Sequence, residues 1–227
     1  MTKIMIVNTS ADYFGEHNKK TGLWLSELVH FYNEFKNENV DIDIYNVTGG
    51  DTPLDPMSMS PLMLDKTTKT YYKDETFMNQ LRYSQPVTEA NPEEYDVIYF
   101  TGGHGVMYDF PENKDIQHAI ETIYNKGGIV SAVCHGIAAL LNAKTKTDEN
   151  LIKDKNITGF SNIEEVVVNR DSIVPFHLQN EIKQRGAIYS ARRIPFTTHV
   201  EVDGRIITGQ NPQSASQVGR EVKALLK

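Results

Sequence analysis

The sequence predicts an α/β domain: a mostly parallel sheet with helices on both faces, in a flavodoxin-like three-layer sandwich. Three observations carry this. Apolar runs recur at Lys3–Thr9, Tyr95–Thr101 and Ile129–Val133, continuous rather than alternating, as strands buried on both faces require. Helical patterns with a single apolar stripe lie between and around them. The third run ends at the sole cysteine of 227 residues, within GGIVSAVCHGIAALL, where a strand passes directly into an alanine- and leucine-rich stretch.

In chain order, the first strand leads into a polar loop, Ser10–Lys20, and Thr21 is placed as the cap of a helix carrying Leu25, Leu28, Tyr32 and Phe35 at spacings of three and four. Glu27 lies beside that stripe, near the sheet's carboxyl edge. It reads either as a solvated stripe-edge residue or as an acid whose pKa is raised by its surroundings. Val40–Val47 is a second strand with a more exposed face. Gly49–Leu64, GGDTPLDPMSMSPLML, is too irregular for a helix or central strand. It is an inserted flap, packed on the molecule or forming a subunit contact. Asp74–Tyr83 is a helix with Phe77, Met78 and Leu81 inward.

TGGHG, Thr101–Gly105, follows the next strand, and a helix over Asn113–Asn125 returns the chain to the strand ending at Cys134. Strand, helix and strand in this order make a parallel pair with a right-handed crossover, bringing the glycine turn beside Cys134. Asn142–Asn156 is a polar excursion. Glu164 and Glu165 lie beyond a turn, Val174–Arg185 is amphipathic, Val200–Thr208 is a hairpin around Asp203–Gly204, and Gln213–Lys227 is a closing helix. No repeat or linker divides residues 1–227, so one domain is expected.

Composition narrows the function classes. A net charge of −7 without a Lys/Arg cluster argues against a nucleic-acid partner. No segment approaches the roughly 20 apolar residues of a membrane span, and MTKIMIVNTS lacks a signal-peptide core. A lone cysteine forms no internal disulfide, which suits a reducing cytoplasm, the expected location.

Cys134 and His135 occupy the strand-to-helix corner, where a nucleophile belongs in an open α/β sheet. The start of a helix favours thiolate over thiol, so a pKa below a free thiol's value of about 8.5 is expected. The competing reading is a buried structural cysteine. The glycines of TGGHG can turn backbone N–H groups toward an anion.

TGGHG after a buried strand, AVCHG on the corner, TGFSNIEE beyond it and the terminal TGQNPQSA together resemble the ThiJ/PfpI superfamily, which has the class I glutamine amidotransferase-like fold. KKTGLWLSELVHFYNEF and PLDPMS resemble its small heat-shock-type branch, which includes glutathione-independent glyoxalase III enzymes and protein chaperones. The resemblance implies Cys134 as nucleophile, His135 as its base, Glu165 of the Glu164–Glu165 pair as the acid orienting that base, and Glu27 as a catalytic acid. It implies backbone binding of an oxyanion and substrate at Gly102, Gly103 and His135. The implied reaction converts methylglyoxal or a related 2-oxoaldehyde to a 2-hydroxy acid through a cysteine hemithioacetal, without cofactor or metal. A homodimer and unfolded-protein clients are further expectations. His17, His104 and His199 stay unassigned, with surface or packing roles. A deglycase or hydrolase, a holding chaperone and a cysteine redox sensor are the rival functions.

Overall fold

Ile4–Val7 is wholly buried, and a segment that excludes water on both faces belongs in the middle of a parallel sheet. The computed structural model, which describes all 227 residues, puts it there. The chain order is β1 Thr2–Asn8, β2 Tyr13–Phe14, β3 His17–Lys20, α1 Leu25–Glu34, β4 Val40–Asn46, α2 Lys66–Tyr72, α3 Glu75–Arg82, β5 Gln85–Pro86, β6 Val97–Phe100, α4 Val106–Asp109 and α5 Lys114–Asn125. It continues through β7 Ile129–Val133, β8 Asn156–Ile157, α6 Asn162–Val167, α7 Leu178–Gln184, β9 Ile188–Tyr189, β10 Val200–Asp203, β11 Ile206–Gly209 and α8 Ala215–Leu225.

Seven strands form the main sheet in the order β10-β11-β7-β6-β1-β4-β5. All neighbours are parallel except β10, which pairs antiparallel with β11 at the edge. From β1 the chain winds outward through β4, then returns to β6 on the other side of β1. Such a reversal opens a crevice at the carboxyl ends of the two strands, where ligands of doubly wound folds bind. Adjacent residues of β6 point to opposite faces. Tyr99 stacks on Phe31 of α1 at 3.6 Å, while Phe100 meets Phe110, just ahead of α5, at 5.6 Å. The α/β sandwich is therefore as expected.

Several local expectations change. The hydroxyl of Thr21 donates to Asp55 Oδ2 at 3.1 Å, and α1 begins after Trp24 with no side-chain cap. The loop after β1 contains the β2–β3 hairpin. An additional helix, α2, is capped by Asp65. The segment after Cys134 is a 3-10 helix, Cys134–Leu140, rather than an α-helix. It is pressed against the sheet so closely that a Cβ on Gly136 would lie 2.5 Å from the Thr101 carbonyl oxygen.

The flap is tied down at several points. Leu23 N donates to Pro53 O at 2.7 Å and Asp55 N to Leu23 O at 2.9 Å. Asp55 and Ser58 are buried, while Leu62 is 87% exposed, so the first half of the flap is fixed to the body and the second half faces outward.

Because no room exists beside Gly136, Gly136→Ala must push the corner off the end of β6. We expect it to lower stability in denaturant melts by about 1–3 kcal/mol, the usual range for overpacking. An unchanged melt would show that the corner yields freely.

Candidate active site

Cys134 caps β7 with φ +58, a left-handed backbone that side chains rarely adopt and that costs of order 1–3 kcal/mol. This is the strand-to-helix elbow expected from the sequence, and it aims Sγ into a cavity of about 440 Å³. Trp24, Met57, Met63, Phe160 and Phe196 supply apolar walls, and Met57 and Met63 come from the flap. A broader depression of about 590 Å³ at the amino ends of the strands, lined by Met1, Gly128 and Arg205 among others, contains neither cysteine nor histidine.

The sequence-derived residues converge here. Sγ lies 3.3 Å from His135 Nδ1, and His135 Nε2 lies 2.5 Å from Glu165 Oε1. Glu164 and Glu165 separate cleanly. Glu164 completes a capping box with Ser161 at the start of α6, and its oxygens also accept from Gln210 Nε2, Asn211 Nδ2 and Phe196 N at 2.9 Å each. The TGQNPQSA motif thereby anchors α6 through Glu164, and the next residue, Glu165, is presented to His135.

Glu27 is wholly buried, so the stripe-edge reading is wrong. Its Oε2 accepts the Gly102 N–H at 2.6 Å. Gly102 therefore departs from expectation: its N–H serves Glu27 and is not free to meet a substrate oxygen. A Cβ there would also lie 2.9 Å from Cys134 Cβ. The Gly103 N–H has no acceptor in the protein. Gly103 has φ +99, and a Cβ would stand 2.1 Å from Gly22 O.

The electrostatics depend on dryness. Burial raises the Glu27 carboxyl from 4.5 to about 8, against the lowering influence of the Cys134 thiol and the Gly102 N–H. Burial also pushes the Cys134 thiol well up, and charge on Glu27 pushes the same way. This reverses the expectation of a lowered thiol. A short 3-10 turn offers a weaker end charge than an α-helix, and desolvation of the thiolate dominates. Burial alone would raise Glu165, but the two imidazoles facing it outweigh that and hold it below the usual carboxylate range.

The second imidazole belongs to His104, to which the sequence alone assigns only a surface or packing role. It is 3% exposed, its Nε2 lies 2.9 Å from Glu165 Oε2, and its ring centroid is 4.0 Å from that of His135. Arg170 Nη1 donates to His104 Nδ1 at 2.8 Å and to Asp55 Oδ2 at 2.9 Å. No local pattern links Asp55, His104 and Arg170, which are far apart in the chain; the histidine within TGGHG is the only visible hint. His17 lies on exposed β3, and His199 meets Ser190 Oγ at 2.6 Å.

His104, His135 and Glu165 offer ligand atoms within 4.8 Å of one another. Their chemistry does not suit a metal ion. An arginine only donates, so His104 Nδ1 must accept and Nε2 must carry the hydrogen that points at Glu165. The nitrogen that would bind metal is protonated, and a guanidinium stands behind it.

A carboxyl whose folded pKa is raised favours folding below its unfolded value and loses that contribution as pH climbs through the folded one. Glu27→Gln has no such penalty. The variant should gain melting temperature over the parent progressively between about pH 4.5 and 8. A constant difference across that range would show that Glu27 is not buried as a neutral acid.

Comparison with known proteins agrees with this geometry. Residues 24–224 match the DJ-1/PfpI family. "Glyoxalase 3" of Candida albicans is 35% identical over 99% of this chain and 98% of that protein, and a glutathione-independent glyoxalase of Saccharomyces cerevisiae is 34% identical over 98% of each. Among solved structures, the Rapid Encystment Protein of Francisella tularensis superposes with a TM-score of 0.96 at 41% identity, covering 100% of both chains. Glyoxalase III of Candida albicans gives 0.87 at 32%, covering 98% of this chain and 96% of that one. No helix is long and apolar enough to cross a membrane. With its elbow cysteine and a match spanning most of its length, the chain belongs to the DJ-1/PfpI family.

Proposed function

We propose that the protein is a glutathione-independent glyoxalase, converting methylglyoxal or a related 2-oxoaldehyde to the 2-hydroxy acid. The carrying observation is the convergence of two proton-handling groups, His135 held by Glu165 and the buried Glu27, on one cysteine in a largely apolar cavity. Relatives matching over essentially the whole chain are named glyoxalase 3 and glutathione-independent glyoxalase.

His135 Nδ1 accepts the thiol proton and Sγ attacks the aldehyde carbon, forming a C–S bond. The carbonyl electron pair moves to oxygen, which the Gly103 and His135 N–H groups receive before it takes a proton from the imidazolium. Glu27 in its carboxylate form then removes the proton from the sulfur-bearing carbon, and the C–H electron pair forms the carbon–carbon double bond of an enediolate, with the negative charge on the neighbouring oxygen. The hydroxyl proton of the first oxygen passes to that oxygen and Glu27 returns its proton to the neighbouring carbon, which leaves a thioester of a 2-hydroxy acid. Water hydrolyses it and Cys134 departs as the thiol. The sum is aldehyde plus water, so no redox partner is involved. An acid with a pKa near 8 is suited to both giving and taking a proton close to neutrality. When neutral, Glu27 also removes the repulsion that opposes the thiolate.

A second reading, contact with another copy of the chain or with unfolded clients, is favoured by apolar side chains beside the cavity. Ile163, Val166 and Val167 are 56%, 62% and 58% exposed. Val166→Glu with Ile163→Glu should reduce the mass seen by light scattering if the rim joins two subunits. An unchanged mass would sink that contact.

The reaction itself is tested by lactate formation from methylglyoxal without glutathione. Cys134→Ser should abolish it. Glu27→Gln should lower it by at least the roughly 10²-fold typical of losing a general base, while the cysteine adduct still appears by mass. Near-normal turnover in Glu27→Gln would transfer the carbon-bound proton to His135.

A further inference from the structure

The triad does not end at Glu165. Arg170 is 2% exposed and Asp55 is fully buried, and they form a two-pronged pair: Nη1 to Oδ2 at 2.9 Å and Nη2 to Oδ1 at 3.2 Å. Asp55 is itself fixed by the Thr21 hydroxyl at 3.1 Å and the Met57 N–H at 2.9 Å. Phe14 lies 5.0 Å beneath the guanidinium. The same Nη1 donates to His104 Nδ1.

The direction of every hydrogen bond from Arg170 to sulfur then follows. Arginine has no acceptor, so His104 Nδ1 accepts and His104 Nε2–H donates to Glu165 Oε2. With Oε2 engaged, Oε1 takes the His135 Nε2–H. The His135 Nδ1 lone pair is left facing Cys134 Sγ, the one arrangement in which this imidazole can accept the thiol proton. Burial, then the neighbouring His135, push the His104 pKa down to about 3, and Arg170 acts in the same direction. His104 therefore stays neutral, and the charge of Glu165 is available to His135 when that ring becomes cationic.

We propose that Arg170 and His104 are positioning residues that set the tautomer of His135 through Glu165, and that Asp55 ties this chain to the flap. The inference deepens the acid–base reading above and rests on it. The groups facing His135 are Cys134, Glu165 and His104, with Glu27 reaching it only across the thiol; Arg170 and Asp55 stand behind His104.

Removing one member of a buried ion pair leaves an uncompensated charge and threatens folding, whereas replacing both is far less disruptive. The test variant is therefore Asp55→Asn with Arg170→Met, with His104→Gln as a second probe that keeps the ion pair. Two readouts are used: the pH profile of iodoacetamide alkylation at Cys134, and ¹⁵N shifts of the imidazoles. In the parent, both rings should report the Nε2–H tautomer. In the double variant His104 should become a tautomer mixture or take a proton, alkylation near neutrality should fall at least about tenfold, and its profile should move to higher pH. Turnover of methylglyoxal should lose kcat with KM within about twofold. His104→Gln should reproduce the alkylation change. Unaltered tautomers and alkylation in folded variants would overturn the proposal. Alkylation reads Cys134 directly, so it tests the hydrogen-bond chain separately from whether the aldehyde is the substrate.

Discussion

Everything at this site depends on a left-handed cysteine held against a parallel sheet. At φ +58 the backbone of Cys134 is strained, and it stays so because its neighbours permit no other path. A Cβ on Gly136 would lie 2.6 Å from Phe100 O at the end of β6, and one on Gly102 would lie 2.9 Å from Cys134 Cβ. β7 is fully buried between β6 and β11. The strain lifts Sγ off the strand end into the crevice opened by the reversal between β1 and β6.

Burial then sets the chemistry. The same dryness that raises Glu27 to about 8 raises the thiol, so neither group ionises cheaply alone. On the other side of Cys134 the polarity is reversed: Glu165 is kept anionic by two imidazole N–H groups, and an anion there is what a cationic His135 requires. One cysteine thus stands between an acid held neutral and an acid held charged.

The flap contributes more than a cover. Met57 and Met63 close the cavity with apolar surface, while Asp55, two residues before Met57, holds the guanidinium behind His104. Its irregular Pro- and Met-rich sequence follows from this position. It must run over the strand ends without joining the sheet, turning one carboxylate inward and leaving Leu62 exposed.

The sequence by itself determined the α/β class, the order of buried strands, the elbow at Cys134 and the candidacy of His135 and Glu27, because periodicity, glycine placement and apolar runs act over a few residues. The ThiJ/PfpI resemblance added the preference for Glu165. Tertiary structure alone decided the rest. Whether Glu27 was solvated or buried turned on where α1 lies against β6. The division of labour between Glu164 and Glu165 turned on Gln210 and Asn211, more than forty residues on. The Thr21 cap failed because α1 begins only after Trp24, and the Thr21 hydroxyl donates instead to Asp55. Beyond the placing of His104 within TGGHG, nothing local marked His104 or Arg170, since their partners are 61, 66 and 115 residues away. A pKa or a tautomer is set by the charges and donors around a group, and those neighbours are assembled only when distant segments pack.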